Sequence, residues 1–158
     1  MNEIERKFLV AKLPDVPILK RYTSERYLLQ SDKETEIRIT HSGDKYFYEQ
    51  KRVVSDTERT RDKYVISEEE FNELKAAAYG KLVRETLLLN ENPKVVVQVY
   101  KGEYEGLMRA ETEFQDRVAA DQYVPDTWMG REITGSSIAR DSSLGRMTRD
   151  EVLAQIKG

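Results

Sequence analysis

The opening strand-like stretch constrains this chain more than any other part of it. Met1-Asn2-Glu3-Ile4-Glu5-Arg6-Lys7-Phe8-Leu9 alternates so that a β-strand throws Glu3, Glu5 and Lys7 onto one face. On an open sheet such a face is the wet side. On the inside of a closed barrel it makes a charged bore able to hold a metal ion and an anion together. The choice depends on whether the rest of the chain supplies enough strands carrying rows of the same kind.

It does supply strands. Residues 26–30, 35–40, 45–54 and 57–67 are β-prone runs, with His41-Ser42-Gly43-Asp44 turning the chain between the second and third. Their spacing is that of an antiparallel meander. Ser67-Glu68-Glu69-Glu70 is a capping box that opens a helix carrying Phe71, Leu74 and Ala78, with Gly80 as its stop. Strands are expected again over 82–89, 94–100 and 107–114. A short helix over 117–123 ends before Pro125, and Thr148-Arg149-Asp150-Glu151 caps a C-terminal helix with Val152 and Ile156 on one face. No repeat, linker or low-complexity tract divides the chain, so one domain over residues 1–158 is expected.

Composition narrows the function. The 158 residues include 26 Lys and Arg and 29 Asp and Glu, which nearly cancel to −3; a high charge content with little net charge argues against a nucleic-acid binder. With no cysteine there is no disulfide, thiolate nucleophile or zinc–thiolate site. The single histidine, His41, sits beside the Ser42-Gly43-Asp44 turn and is read as solvated rather than catalytic. No run approaches the ~18 apolar residues of a membrane span, and the acidic N-terminus is unlike a signal peptide, so a cytoplasmic protein without membrane contact is expected. There is no glycine-rich phosphate loop.

Glu3-x-Glu5-x-Lys7 resembles the N-terminal signature of the CYTH, or triphosphate tunnel metalloenzyme, family. Further matches follow in family order: Arg38 in Thr35-Glu36-Ile37-Arg38-Ile39-Thr40, with Thr40 where a second arginine is common; Lys51 in Tyr46-Phe47-Tyr48-Glu49-Gln50-Lys51; Arg84; Ala110-Glu111-Thr112-Glu113-Phe114; and Trp128-Met129-Gly130-Arg131-Glu132-Ile133-Thr134. The resemblance implies an α+β, mostly β fold: a closed antiparallel eight-stranded tunnel barrel with a few flanking helices. It implies a phosphate-binding set of Lys7, Arg38, Lys51 and Arg84, and Mg²⁺ or Mn²⁺ on Glu3, Glu5 and Glu113, with Glu111 reaching the metal through water. Glu5, Glu113 and Lys7 are then the catalytic candidates. Arginine grips phosphate oxygens bidentately and lysine acts as a compact point charge, while carboxylates suit hard divalent cations.

The chain also departs from the family pattern. Where R-x-E-x-E is usual it has Arg59-Thr60-Arg61-Asp62-Lys63, where a late aspartate is usual it has Gln98, and a basic position before Arg84 is Leu82. If Arg59, Arg61 and Lys63 face the bore they join the anion-binding set. A bulge between Asp56 and Asp62 would instead turn Asp62 inward and send those three to solvent. The first functional reading is metal-dependent hydrolysis of a triphosphate, inorganic tripolyphosphate before a nucleotide. The alternatives are a module that binds polyphosphate or another phosphorylated ligand without cleaving it, and adenylate cyclase activity, which some family members show but no residue here favours. Oligomeric state is not legible.

Overall fold

The computed structural model describes residues 2–158. Eight strands, β1 (Asn2–Leu9), β2 (Lys20–Ser31), β3 (Thr35–Ser42), β4 (Lys45–Val53), β5 (Glu58–Ile66), β6 (Gly80–Glu91), β7 (Lys94–Lys101) and β8 (Met108–Phe114), close in the order β1-β5-β4-β3-β2-β6-β7-β8. Every neighbouring pair is antiparallel. Closure removes the sheet edges. It also sets β2 across the barrel from β1, and β3 across from β8.

The barrel is inverted relative to a small globular one: its outward faces are the apolar ones. Tyr27 and Ile39 point out and are covered by Phe71 of α1 (Glu68–Lys75), with Tyr46 and Tyr48 at the margin. The capping box is formed, the Ser67 hydroxyl accepting from the Glu70 backbone. On the other flank Phe8, Leu87, Val95, Val97 and Ala110 pack under Met129 and Trp128, in the stretch that follows α2 (Arg117–Gln122). With both flanks sealed by apolar contact, the charged rows have only the interior to occupy.

At one end the inward rows turn apolar and form a floor. Leu28, Leu82, Tyr100 and Leu107 meet Ile138, Ala139 and Leu144 from the C-terminal segment, backed by Val152. That segment comprises a 3₁₀ turn (Ser137–Ala139), α3 (Asp141–Leu144) and α4 (Arg149–Lys157), the last opened by a capping box on Thr148. Here Leu82 is a buried floor residue, which accounts for an apolar side chain just before Arg84. α3 can approach only because glycines meet there: a Cβ on Gly80 would come within 2.7 Å of the Gly145 carbonyl oxygen, and one on Gly145 within 2.0 Å of Leu28 Cδ1.

Several expected boundaries are corrected. β2 begins at Lys20, six residues earlier than residue 26, because Lys20, Tyr22 and Ser24 line the bore and carry no apolar alternation to mark them. α1 stops at Lys75, and Gly80 does not end it; that glycine opens β6 and makes the close approach to Gly145. His41 lies in β3 stacked on Tyr46 at 4.4 Å, not in the turn.

Candidate functional site

The bore encloses a cavity of about 830 Å³. Among the described residues, thirteen lysine and arginine side chains line it against six carboxylates, an excess of seven positive charges inside a chain whose net charge is −3. The cations are therefore concentrated within, and the exterior is correspondingly acidic. Such a lining focuses its field on whatever anion enters.

The expected phosphate-binding residues come together: Lys7, Arg38, Lys51, Arg59, Arg61, Lys63 and Arg84 all line the cavity. The strand whose register was open faces as the unbulged reading requires. Lys51 pairs with Arg61 and Glu49 with Lys63 across β4 and β5, and Asp62 lies on the exposed outer face. Arg61 lies 3.2 Å from Glu3 and 3.4 Å from Glu49. The Lys63 ammonium sits 4.1 Å above the Phe47 ring, and burial lowers its pKa.

The carboxylates collect on β1 and β8, where Glu5 is opposite Glu113 and Lys7 opposite Glu111. Glu5 is 2% exposed, with Lys7 Nζ 3.4 Å from Oε1, and neither of its oxygens has a hydrogen-bond partner. Burial first, and then the Glu111 carboxylate, push the Glu5 pKa up to about 7. Gln98 donates to Glu111 at 2.9 Å, so the amide standing where a carboxylate is usual holds this one in place. Two of the expected metal ligands are differently engaged. Glu3 lies 3.1 Å from Lys51, and Glu113 is half-buried near Lys94, its pKa raised by burial. Among the described residues no three His, Cys, Asp or Glu side chains gather closely enough to cage an ion. Glu5 with its orphaned oxygens, beside Glu111, still suits a hard cation such as Mg²⁺ or Mn²⁺, which takes one or two carboxylates and leaves its other positions to water and phosphate.

The opposite wall, on β2, β3 and β6, carries Ser24, Arg26, Arg38, Thr40, Arg84 and Thr86. Arg26, Glu36, Glu49, Arg109, Arg140 and Asp141 were not expected in the site. Period two could have found most of them: Arg26 shares a face with Ser24, Glu36 with Arg38, Glu49 with Lys51, and Arg109 with Glu111. Asp141 had no such signal, because its segment has no strand alternation. Its carboxylate is the hub of the floor. Oδ2 accepts from Arg26 and Arg84, each at 3.1 Å, and lies 4.0 Å from Arg38; Oδ1 accepts from Arg109 at 2.9 Å and from the Tyr100 hydroxyl. Those arginines hold the Asp141 pKa well below the carboxylate range despite complete burial. Glu49 is likewise lowered: burial raises it, but Arg38 and Arg26 outweigh that. Tyr100 is pushed up to about 12, chiefly by burial. Lys7 also serves the floor, donating to the Ala139 carbonyl at 2.7 Å, while Arg140 pairs with Glu36.

A closed antiparallel barrel whose charged bore, not a surface groove, is the site defines a class of tunnel proteins. The chain is 31% identical over 149 residues to an inorganic triphosphatase of Nitrosomonas europaea, an alignment covering 91% of this chain and 97% of that protein. A solved structure of an inorganic triphosphatase, 26% identical, matches with a TM-score of 0.68 over 92% of this chain and 95% of that one. A putative adenylyl cyclase from Hippeastrum, described as having a dominant triphosphatase activity, shares the fold at 12% identity and a TM-score of 0.54, over 75% of this chain and 82% of that one. No family model matches the chain. On the extent of the first of these likenesses, the chain belongs to the CYTH, or triphosphate tunnel metalloenzyme, family.

Proposed function

We propose that this protein hydrolyses inorganic tripolyphosphate inside the bore with the help of Mg²⁺ or Mn²⁺. The carrying observation is the pairing of two incomplete walls. One bears the buried Glu5, with orphaned oxygens, beside the partly exposed carboxylate of Glu111; the other bears Arg26, Arg38 and Arg84, each with a buried Nε that has no acceptor among the described residues. A divalent cation held by the first and a phosphate chain held by the second would satisfy both. The relative named inorganic triphosphatase supports the same substrate class, and the lack of a glycine-rich phosphate loop favours an inorganic chain over a nucleotide.

Glu5 and Glu111 would hold the metal, which when bound supplies charge neutralisation on the phosphate oxygens. Arg38, Arg84 and Arg26 grip the chain from the other wall, and Lys51, Arg61 and Lys63 flank it. Positioning and charge stabilisation carry most of the rate in phosphoryl transfer. Water attacks the terminal phosphorus, the P–O bond to the bridging oxygen breaks, and orthophosphate and pyrophosphate leave. Arg61 and Lys63 strengthen the grip on the anion but add no carboxylate to orient water, so firm binding with slow turnover is expected. The cytoplasmic setting expected from the sequence belongs to the same proposal. Phosphate release from tripolyphosphate, measured with and without Mn²⁺, tests the reading. Metal-dependent release is expected, whereas tight binding with no release in any metal would leave a binding module in its place.

A further inference from the structure

The C-terminal segment delivers a carboxylate to the deepest point of a cavity that otherwise collects cations. Asp141 is 4% exposed and takes donors from four strands besides its neighbour β3: Arg26 of β2, Arg84 of β6, Tyr100 of β7 and Arg109 of β8. Three guanidinium groups and a hydroxyl donate to one carboxylate, as they would to a bound oxyanion. The segment is fixed on both sides of it. Arg109 donates to the Ile138 carbonyl at 3.0 Å, Lys7 donates to that of Ala139, and Arg140 pairs with Glu36. Above Asp141, the Nε groups of Arg26, Arg38 and Arg84 and the hydroxyls of Ser24 and Thr86 are buried without partners. One terminal nitrogen each of Arg26 and Arg84 is committed to Asp141 and one of Arg38 to Glu49, which leaves their Nε donors for a ligand entering the bore.

We infer that Asp141 is a specificity-determining residue: a built-in anion that fills the deepest phosphoryl position and limits the chain length the bore accepts. This rests on the reading of the bore as a polyphosphate site. From Lys94 at the open end to Gln98 beside Arg109 the wall is four residues long, roughly 13 Å along the strand at ~3.3 Å per residue. A short anion held near the open end does not reach Asp141. Each added phosphoryl group brings the leading end closer to it, and like charges in a closed, water-poor space repel strongly. Asp141 thus penalises longer chains most.

The test is calorimetric binding of pyrophosphate, tripolyphosphate and tetrapolyphosphate to the whole protein. Asp141→Ala should gain affinity with length: little change for pyrophosphate and about tenfold or more for tetrapolyphosphate, as expected for removing one buried like charge. Its melting temperature should fall without anion, because the arginines have lost their partner, and recover more than that of wild type when tetrapolyphosphate is added. Asp141→Glu keeps the charge while pushing it up the bore. It should fold and lose affinity, again most for the longest chain, so it decides the matter if the alanine variant does not fold. Equal effects on all three anions, or none, in a folded variant would overturn the inference and leave the polyphosphate reading standing. Failure of wild type to bind tripolyphosphate would instead remove that reading itself.

Discussion

The two walls of the bore are built by the same rule and fail in opposite ways. On β1 and β8, alternation brings Glu3, Glu5, Glu111 and Glu113 inward, and Glu5, with Lys7 3.4 Å away, is left with two buried oxygens that accept no hydrogen bond among the described residues. On β2, β3 and β6, the same alternation brings Arg26, Arg38 and Arg84 inward. Arg26 and Arg84 are neutralised at their tips by Asp141 and Arg38 by Glu49, yet all three are left with unused donors at Nε. Buried groups without partners cost stability, so each wall is arranged for a ligand of the opposite sign to itself. The lesson is that the site is complementary to a metal–phosphate pair and to neither component alone.

The largest effect should come from the acidic wall. Glu5→Gln keeps the shape but removes a buried carboxylate whose near cation is Lys7 at 3.4 Å; metal-dependent phosphate release should fall about 100-fold and Mn²⁺ affinity by a similar factor. Wild-type Mn²⁺ binding in this variant, read by calorimetry, would take Glu5 out of the metal site. On the basic wall, Arg84→Ala should weaken tripolyphosphate binding about tenfold or more, with a loss that shrinks as salt rises. It should also lower the melting temperature, because Asp141 loses a partner. Unchanged affinity would leave the comparison with one wall only.

Much of this was legible in the chain, and the boundary is physical. Period two in residues 3–7, 59–63 and 110–114 gathers the charged rows onto shared faces, because side-chain alternation is a local property of a strand, but the face that 59–63 turns inward follows only from its pairing with β4. The seven expected phosphate-binding residues converge for that reason. What period two cannot supply is a partner: Glu3 is drawn to Lys51 and Arg61 rather than to the other carboxylates, and Lys7 is spent partly on the Ala139 carbonyl. Asp141 was illegible because its position depends on the floor packing of Leu28, Leu82 and Leu144 with paired glycines, a tertiary arrangement with no local signature.

Two smaller effects sharpen the picture. Gly145→Ala drives a methyl group into Leu28, and should destabilise the floor by roughly 1–3 kcal/mol, the usual range for overpacking; chemical denaturation measures it, and an unchanged midpoint would show that α3 is free to shift. The pH dependence of stability follows from Asp141, which faces Arg26, Arg38, Arg84, Arg109 and Tyr100. Its folded pKa lies well below the ordinary 3.8, so its contribution is present above that value and lost as pH falls through the folded pKa. Wild type should lose melting temperature as pH drops below ~3.8, and Asp141→Asn should lose less over the same range; parallel curves would mean that the arginine cluster does not stabilise the fold through this charge.

The central claim, that the two walls bind one metal–phosphate unit, is tested most directly by thermodynamic coupling. Mn²⁺ binding is measured by calorimetry with and without a non-hydrolysable imido analogue of tripolyphosphate, correcting for the metal that the analogue chelates in solution. The account predicts Mn²⁺ affinity tighter by about tenfold or more when the analogue is present, with an equal tightening of the analogue by Mn²⁺, as linkage requires. Independent binding of the two, or mutual exclusion, would contradict it.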